Sequence, residues 1–153
     1  MVGSMAYGIA AILLFFMYFG VYFIAVYVFT RVGRKFGVGS FIQFMIPIWN
    51  MILLCDCGKV SRWTVAAIAA PGLILWPLNK LGIVVTPDAL DTAAGLIIFL
   101  GNAYIWGNIA GRLGKNKVLW GLMTPLLAFI PAAFLAFGDA MPVDRRNDRY
   151  IDV

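Results

Sequence analysis

The chain has 153 residues, and 63% of them are apolar, against roughly 45–50% in soluble globular domains. This excess, together with a mean hydropathy of +0.91, predicts an integral membrane protein and argues against a soluble one. The net charge of +5 comes from small basic clusters between apolar runs, a pattern without the continuous basic and aromatic face of a nucleic-acid-binding protein.

The first apolar run, residues 6–29, is predicted to cross the membrane. At about 1.5 Å per residue it is longer than the roughly 30 Å of hydrocarbon that a helix must span. No positive charge precedes the run, whereas Arg31, Arg34 and Lys35 follow it. Because Lys and Arg accumulate in cytoplasmic loops, we expect the N-terminus outside and these bases in the cytoplasm.

Residues 38–54 form a shorter apolar run that Pro47 interrupts and that carries Asn50. A proline removes a backbone donor and breaks a helix, so we expect either a re-entrant hairpin or a short crossing here. Residues 63–78 are apolar again. They are predicted to form a second crossing, with a kink at Pro71.

Residues 92–110 are predicted to form the third crossing, preceded by a mainly acidic loop, residues 79–91, on the non-cytoplasmic side. Ala103, Gly107 and Gly111 recur every four residues along this region. Small residues at this spacing let a second helix approach closely, so we expect a tight helix contact on this face.

Residues 118–137 are apolar but are broken by Pro125 and Pro131, and a charged tail, residues 139–153, ends the chain. The predicted fold is an all-α integral membrane protein with one membrane domain, residues 1–138. It has three transmembrane helices and two proline-broken segments, which are either re-entrant or short spanning helices.

Two further patterns bear on the proline-broken segments. The spacing from Gly33-Arg34 to Met45-Ile46-Pro47 is the same as the spacing from Gly111-Arg112 to Met123-Thr124-Pro125. The second pattern therefore repeats the first at an offset of 78 positions. Either duplication or coincidence explains this repeat. If all the apolar runs cross, the charge bias between the two sides nearly vanishes, whereas a hairpin at 38–54 restores it. We therefore predict a hairpin there and leave open the second broken segment and the side of the tail.

No catalytic site is predicted. The chain has no His and no Glu, which removes the commonest general base, and no acid falls at mid-membrane. Cys55 and Cys57 flank Asp56, but two thiols are too few for a closed zinc site. We therefore expect neither a metal nor a cofactor.

The candidate functional residues fall into three groups. They are Pro47, Asn50, Thr124 and Pro125 as hairpin or pore-lining residues, Ala103, Gly107 and Gly111 as helix-packing residues, and Arg31, Arg34, Lys35, Arg112, Lys115 and Lys117 as lipid-headgroup or topology residues. Small size, packing surfaces and missing catalytic groups favour a non-catalytic accessory or scaffold subunit of a larger membrane complex. Its expected partners are membrane lipids and other subunits or a second copy. A small oligomeric channel or transporter is the alternative.

Some of these motifs also resemble those of a known protein family. Residues 33–37 (Gly-Arg-Lys-Phe-Gly), Phe41 and residues 46–50 (Ile-Pro-Ile-Trp-Asn) resemble a bacterial family of small multi-pass membrane domains of unknown function. Residues 109–115 and 135–138, with the prolines between them, are similar to that family's C-terminal pattern. The resemblance implies the bacterial inner membrane. Some members are joined to signal peptidase I, which implies a place in envelope machinery without a catalytic role for this chain.

Overall fold

The computed structural model describes residues 2–82, 87–127 and 130–143, and over these ranges the chain is all-α, as predicted. The helices are α1 (Val2–Phe36), α2 (Phe41–Met45), α3 (Pro47–Gly58), α4 (Trp63–Ala69), α5 (Pro71–Lys80), α6 (Pro87–Arg112), α7 (Lys117–Leu126) and α8 (Ile130–Phe137). Parts of the predicted acidic loop and of the second broken segment lie outside the described residues, as does the tail beyond Val143 with Arg145, Arg146 and Arg149.

Two of the described helices are long and apolar enough to cross a membrane. The qualifying parts are Ala10–Phe36 in α1, with a mean hydropathy of 2.4, and Asp88–Arg112 in α6, with a mean hydropathy of 1.4. Both helices extend beyond the apolar runs from which they are predicted, residues 6–29 and 92–110. Their charged ends therefore belong to the helices rather than to the neighbouring loops.

The predicted crossing at residues 63–78 is two helices and not one kinked helix. The α4 helix ends at Ala69 and α5 begins at Pro71, with Ala70 between them at φ −138° and ψ 62°. Proline disfavours the helical conformation in the residue before it, so the chain breaks at Ala70, one position ahead of the predicted kink. Both helices still pack against α6.

The first proline-broken segment turns back along α1. Gly37 and Gly39 have φ values of 71° and 73°, which only glycine adopts at low cost, and they reverse the chain after α1. The short α2 then runs back to the level of Tyr22, whose hydroxyl donates to the Met45 carbonyl. After the break at Ile46, with Pro47 opening the new helix, α3 returns toward the end of α1.

The second proline-broken segment repeats this arrangement on α6. The side-chain oxygen of Asn116 accepts from the backbone N–H groups of Val118 and Leu119, at 3.0 and 3.1 Å, and caps α7. The α7 helix runs back along α6, and α8 returns to the end of α1, where Lys35 contacts the Leu135 carbonyl. Each long helix is thus followed by a pair of shorter helices, and α8, which ends the second pair, lies at the end of α1 rather than at the end of α6.

The core lies between the second half of α1 and the elements around it. Val26, Val32, Phe44 and Ile109 are fully buried there, and the rings of Phe29 and Trp106 are 5.6 Å apart. The first half of α1 lies outside this core, because all of its described side chains from Ala10 to Gly20 are exposed. Among the described residues, this half of α1 therefore buries no side chain, although Tyr18 and Phe19 line a groove with Met45 and Pro47.

Candidate functional site

The three small residues of α6, Ala103, Gly107 and Gly111, face α7 at a close helix crossing. A Cβ atom added to Gly107 would lie 2.7 Å from the Lys117 carbonyl oxygen, and one added to Gly121 would lie 2.6 Å from the Ala103 carbonyl oxygen. A Cβ on Gly111 would meet the Lys117 side chain. The backbones of α6 and α7 thus touch, and any larger side chain at Gly107 or Gly121 would push them apart.

A cavity of about 380 Å³ opens beside this crossing, between α1, α6, α7 and α8. It is mainly apolar, and its polar side chains are those of Asn102 and Thr124. Its lining residues are Phe29, Gly95, Ile98, Phe99, Asn102, Trp106, Thr124, Pro125 and Ala132.

The polar groups of this cavity have used part of their hydrogen-bonding capacity. Asn102 Nδ2 donates to the Ile98 carbonyl at 2.8 Å, and Thr124 Oγ1 donates to the Trp120 carbonyl at 2.7 Å. What remains is the second N–H of the Asn102 amide, which can donate, and the Asn102 amide oxygen and the lone pairs of the Thr124 hydroxyl, which can accept. The two acceptors suit a cation or a ligand that carries a hydrogen-bond donor.

The predicted pore-lining residues do not come together. Thr124 and Pro125 line the cavity described above, whereas Pro47 lines a separate groove of about 230 Å³ with Met45 and Tyr22. Asn50 is buried in α3, with 7% of its surface exposed, and it does not line the Thr124 cavity. These predicted residues therefore do not line one common cavity in the described structure.

Lys35 joins the end of α8 to the end of α1. Its ammonium donates to the carbonyls of Leu135 at 2.7 Å and Ala140 at 3.2 Å, and also to that of Gly138. An ammonium has three N–H donors, and the backbone at the C-terminus of α8 uses all of them. Lys35 is therefore a helix-capping residue, which limits its part in any lipid-headgroup site.

Arg112 makes a second connection between helix ends. Its Nη1 donates to the Cys57 carbonyl, and its guanidinium lies 4.8 Å from the ring centroid of Phe36. The C-terminal ends of α1, α3, α6 and α8 consequently meet on one side of the fold. We call this side the basic end and define it by Phe36, Cys57, Arg112 and Phe137.

The other bases of the basic end are exposed. Arg34, Lys115 and Lys117 have solvent-facing positions, and Arg31 is held against aromatic rings. The Arg31 guanidinium lies 5.5 Å from the ring centroid of Phe137 and 5.9 Å from that of Tyr27. Stacking on rings orients the guanidinium but leaves its N–H edges free to bind an anion.

The cysteines lie just inside the basic end. Burial raises the pKa of the Cys55 thiol to about 11 and that of the Cys57 thiol to about 12, so both are protonated at neutral pH. Asp56 between them accepts hydrogen bonds from Arg62 Nε and Nη2, both at 3.1 Å, in an exposed ion pair. In the described part of the chain, no group of three His, Cys, Asp or Glu side chains is placed to hold a metal ion.

Comparisons with protein-family models, with curated proteins and with solved structures found no match to this chain. The resemblance to small bacterial membrane domains therefore stays a prediction.

Proposed function

We propose that the chain is an integral membrane protein whose N-terminus lies outside and whose basic end lies in the cytoplasm. The support is the distribution of charge over the fold. Near the basic end the described chain carries Arg31, Arg34, Lys35, Lys59, Arg62, Arg112, Lys115 and Lys117, and the opposite end carries Lys80. Positive charge concentrated on one side is the usual signal for the cytoplasmic face.

In this topology α1, the α4–α5 pair and α6 cross the bilayer. The break at Ala70 does not prevent a crossing, because α4 lies directly against α6. A Cβ atom placed on Gly101 of α6 would be 2.6 Å from Cγ1 of Ile68 in α4. Broken helices are tolerated at membrane depth where other protein segments cover them. The α2–α3 and α7–α8 pairs are two re-entrant hairpins that enter and leave at the cytoplasmic face.

We further propose that the chain is a non-catalytic accessory or scaffold subunit of a membrane protein complex. The observation that carries this proposal is the exposure of the first half of α1 among the described residues. Phe16 is 67% exposed and Tyr18 is 70% exposed, and nothing lies within 4 Å of a Cβ placed on Gly20. Lipid tails are suitable neighbours for an exposed Phe ring. The phenol hydroxyl of Tyr18 at membrane depth needs a hydrogen-bond partner, which a helix of another subunit provides.

Site-specific photo-crosslinking in cells tests this function. A photoreactive phenylalanine analogue at Phe16 should give a discrete protein adduct, which mass spectrometry identifies. The same analogue at Phe134, which is 69% exposed on α8, is the matched control. The scaffold proposal fails if Phe16 captures no more protein than Phe134 does and the chain purified in mild detergent has the mass of a monomer.

A channel or transporter is the second candidate, and the cavity at Asn102 and Thr124 favours it. Because that cavity offers acceptors, potassium and ammonium ions are suitable probes of flux into proteoliposomes. Thr124→Val, which removes the hydroxyl at nearly constant volume, should lower any flux. Thr92→Val, at an exposed site in the first turns of α6, should not. Absent flux, or flux that Thr124→Val leaves unchanged, rejects this candidate.

A further inference from the structure

The basic end contains a charged pocket that the proposed function does not use. It has a volume of about 550 Å³ and lies between the end of α1 and the residues that follow α8. Its charged lining residues are Arg31, Lys35 and Asp139, so it carries one net positive charge. Since the Lys35 donors are occupied by backbone carbonyls, Arg31 is the residue free to bind an anion.

An apolar groove continues from this pocket along the outer face of α8. It has a volume of about 420 Å³ and is lined by Ile130, Ala133, Phe134, Phe137 and Gly138. Phe137 and Gly138 line the charged pocket as well, so the two spaces adjoin. The combined surface has a cationic end at the membrane boundary and an apolar strip that points into the membrane.

We propose that this combined surface binds one anionic phospholipid, with its phosphate at Arg31 and an acyl chain along α8. The inference rests on the membrane location proposed above. A lipid matches both parts of the surface at once, because only an amphipathic ligand places a phosphate at the pocket and hydrocarbon in the groove. The ring contacts with Phe137 and Tyr27 hold the guanidinium beside the pocket. The Asp139 carboxylate favours a headgroup with a single negative charge over one with several.

Native mass spectrometry of the full chain in detergent tests the headgroup contact. Titrations with phosphatidylglycerol and with phosphatidylcholine of the same acyl chains should show tighter binding of the anionic lipid. Arg31→Gln should weaken phosphatidylglycerol binding about fivefold, the effect expected for one base near an anionic headgroup. Arg34→Gln, an exposed base that lines neither space, should change it less than twofold. Inorganic phosphate at equal concentration should not displace the lipid.

Two further variants test the proposed positions of the phosphate and of the acyl chain. Arg31→Lys keeps the charge and should retain the preference for the anionic lipid. Phe134→Ala removes a wall of the groove and should weaken both lipids, whereas Phe16→Ala, equally exposed on α1, should weaken neither.

Equal affinities for Arg31→Gln and Arg34→Gln would overturn the lipid site while leaving the membrane location intact. A chain that stays in solution without detergent would overturn both.

Discussion

The ammonium of Lys35 donates to the Leu135 carbonyl at 2.7 Å, a contact between residues 100 positions apart. The same group binds the Gly138 and Ala140 carbonyls, so the end of α8 is fixed to the end of α1. A half-buried cation at a helix C-terminus is also favoured by the helix dipole. This one side chain therefore connects the point where the chain leaves α8 to the end of α1.

Replacing Lys35 should release α8 from α1. Lys35→Met leaves carbonyls at the end of α8 without their donor, and we expect a loss of about 1–3 kcal/mol in the free energy of unfolding. Denaturant titration in detergent measures it. Arg34→Met is the control, because Arg34 is exposed and adjacent in sequence. Equal stability of the two variants would show that the Lys35 contacts contribute nothing.

Topology can be tested with single cysteines in a Cys55→Ala, Cys57→Ala background. Lys115→Cys and Met141→Cys should react with a membrane-impermeant maleimide only from the cytoplasmic side, because both positions lie at the basic end. Leu81→Cys, 74% exposed after α5, should react only from the outside. Labelling of Met141→Cys from the outside would mean that α7 and α8 together cross the membrane.

The crossing of α6 and α7 should not tolerate a methyl group. Gly107→Ala places a Cβ 2.7 Å from the Lys117 carbonyl, so the helices must separate, at a cost of about 1–3 kcal/mol. The matched control is Gly95→Ala in the same helix, where nothing lies within 4 Å of the added atom. We expect a lower melting temperature in detergent for Gly107→Ala and an unchanged one for Gly95→Ala. A similar shift in both variants would contradict the close contact.

The native cysteines should react slowly with alkylating reagents. The pKa of Cys57 is raised to about 12, so at pH 7 the reactive thiolate is scarce. We expect Ser61→Cys, which is exposed at the same end, to be alkylated at neutral pH well before Cys55 and Cys57. Mass spectrometry of intact protein measures the modified fraction at each time. Equal rates for the introduced and the native thiols would contradict their burial.

The same shift predicts a dependence of stability on pH. The thiol pKa values lie above the unfolded value of about 8.5, so the unfolded chain releases these protons first as the pH rises. Stability should be constant below about pH 8.5 and should fall as the pH rises from there toward 11. A Cys55→Ser, Cys57→Ser variant should lose this dependence. Unfolding midpoints across this range provide the measurement.

Hydropathy alone predicted the long helices but not where they end. The α1 helix continues past residue 29 to Phe36, because Arg31, Arg34 and Lys35 are good helix formers that outweigh Gly33, and the chain leaves the helical conformation only at Gly37. The α6 helix begins at Pro87, ahead of residue 92, since proline suits the first helical position and Asp88 suits the first turn. Helix-terminus chemistry therefore set the bounds where apolar content did not.

The site was less predictable than the fold. The spacing of Gly107 and Gly111 indicated a packing face, but Gly121 gave no signal because its partner lies on another helix. Lys35 and Arg112 resemble ordinary membrane-boundary bases in the sequence. Their capping contacts join residues 100 and 55 positions apart, which no local pattern reveals.

The hairpin geometry has a consequence for how such a chain enters a membrane. In the proposed topology both proline-broken segments start and finish on the cytoplasmic side, so neither requires polar residues to be translocated. Only the N-terminus and the connection after Lys80 must be translocated. The hairpins can then insert into the bilayer beside α1 and α6 once those helices are in place. The insertion machinery would thus translocate only two polar segments for a chain with five apolar segments.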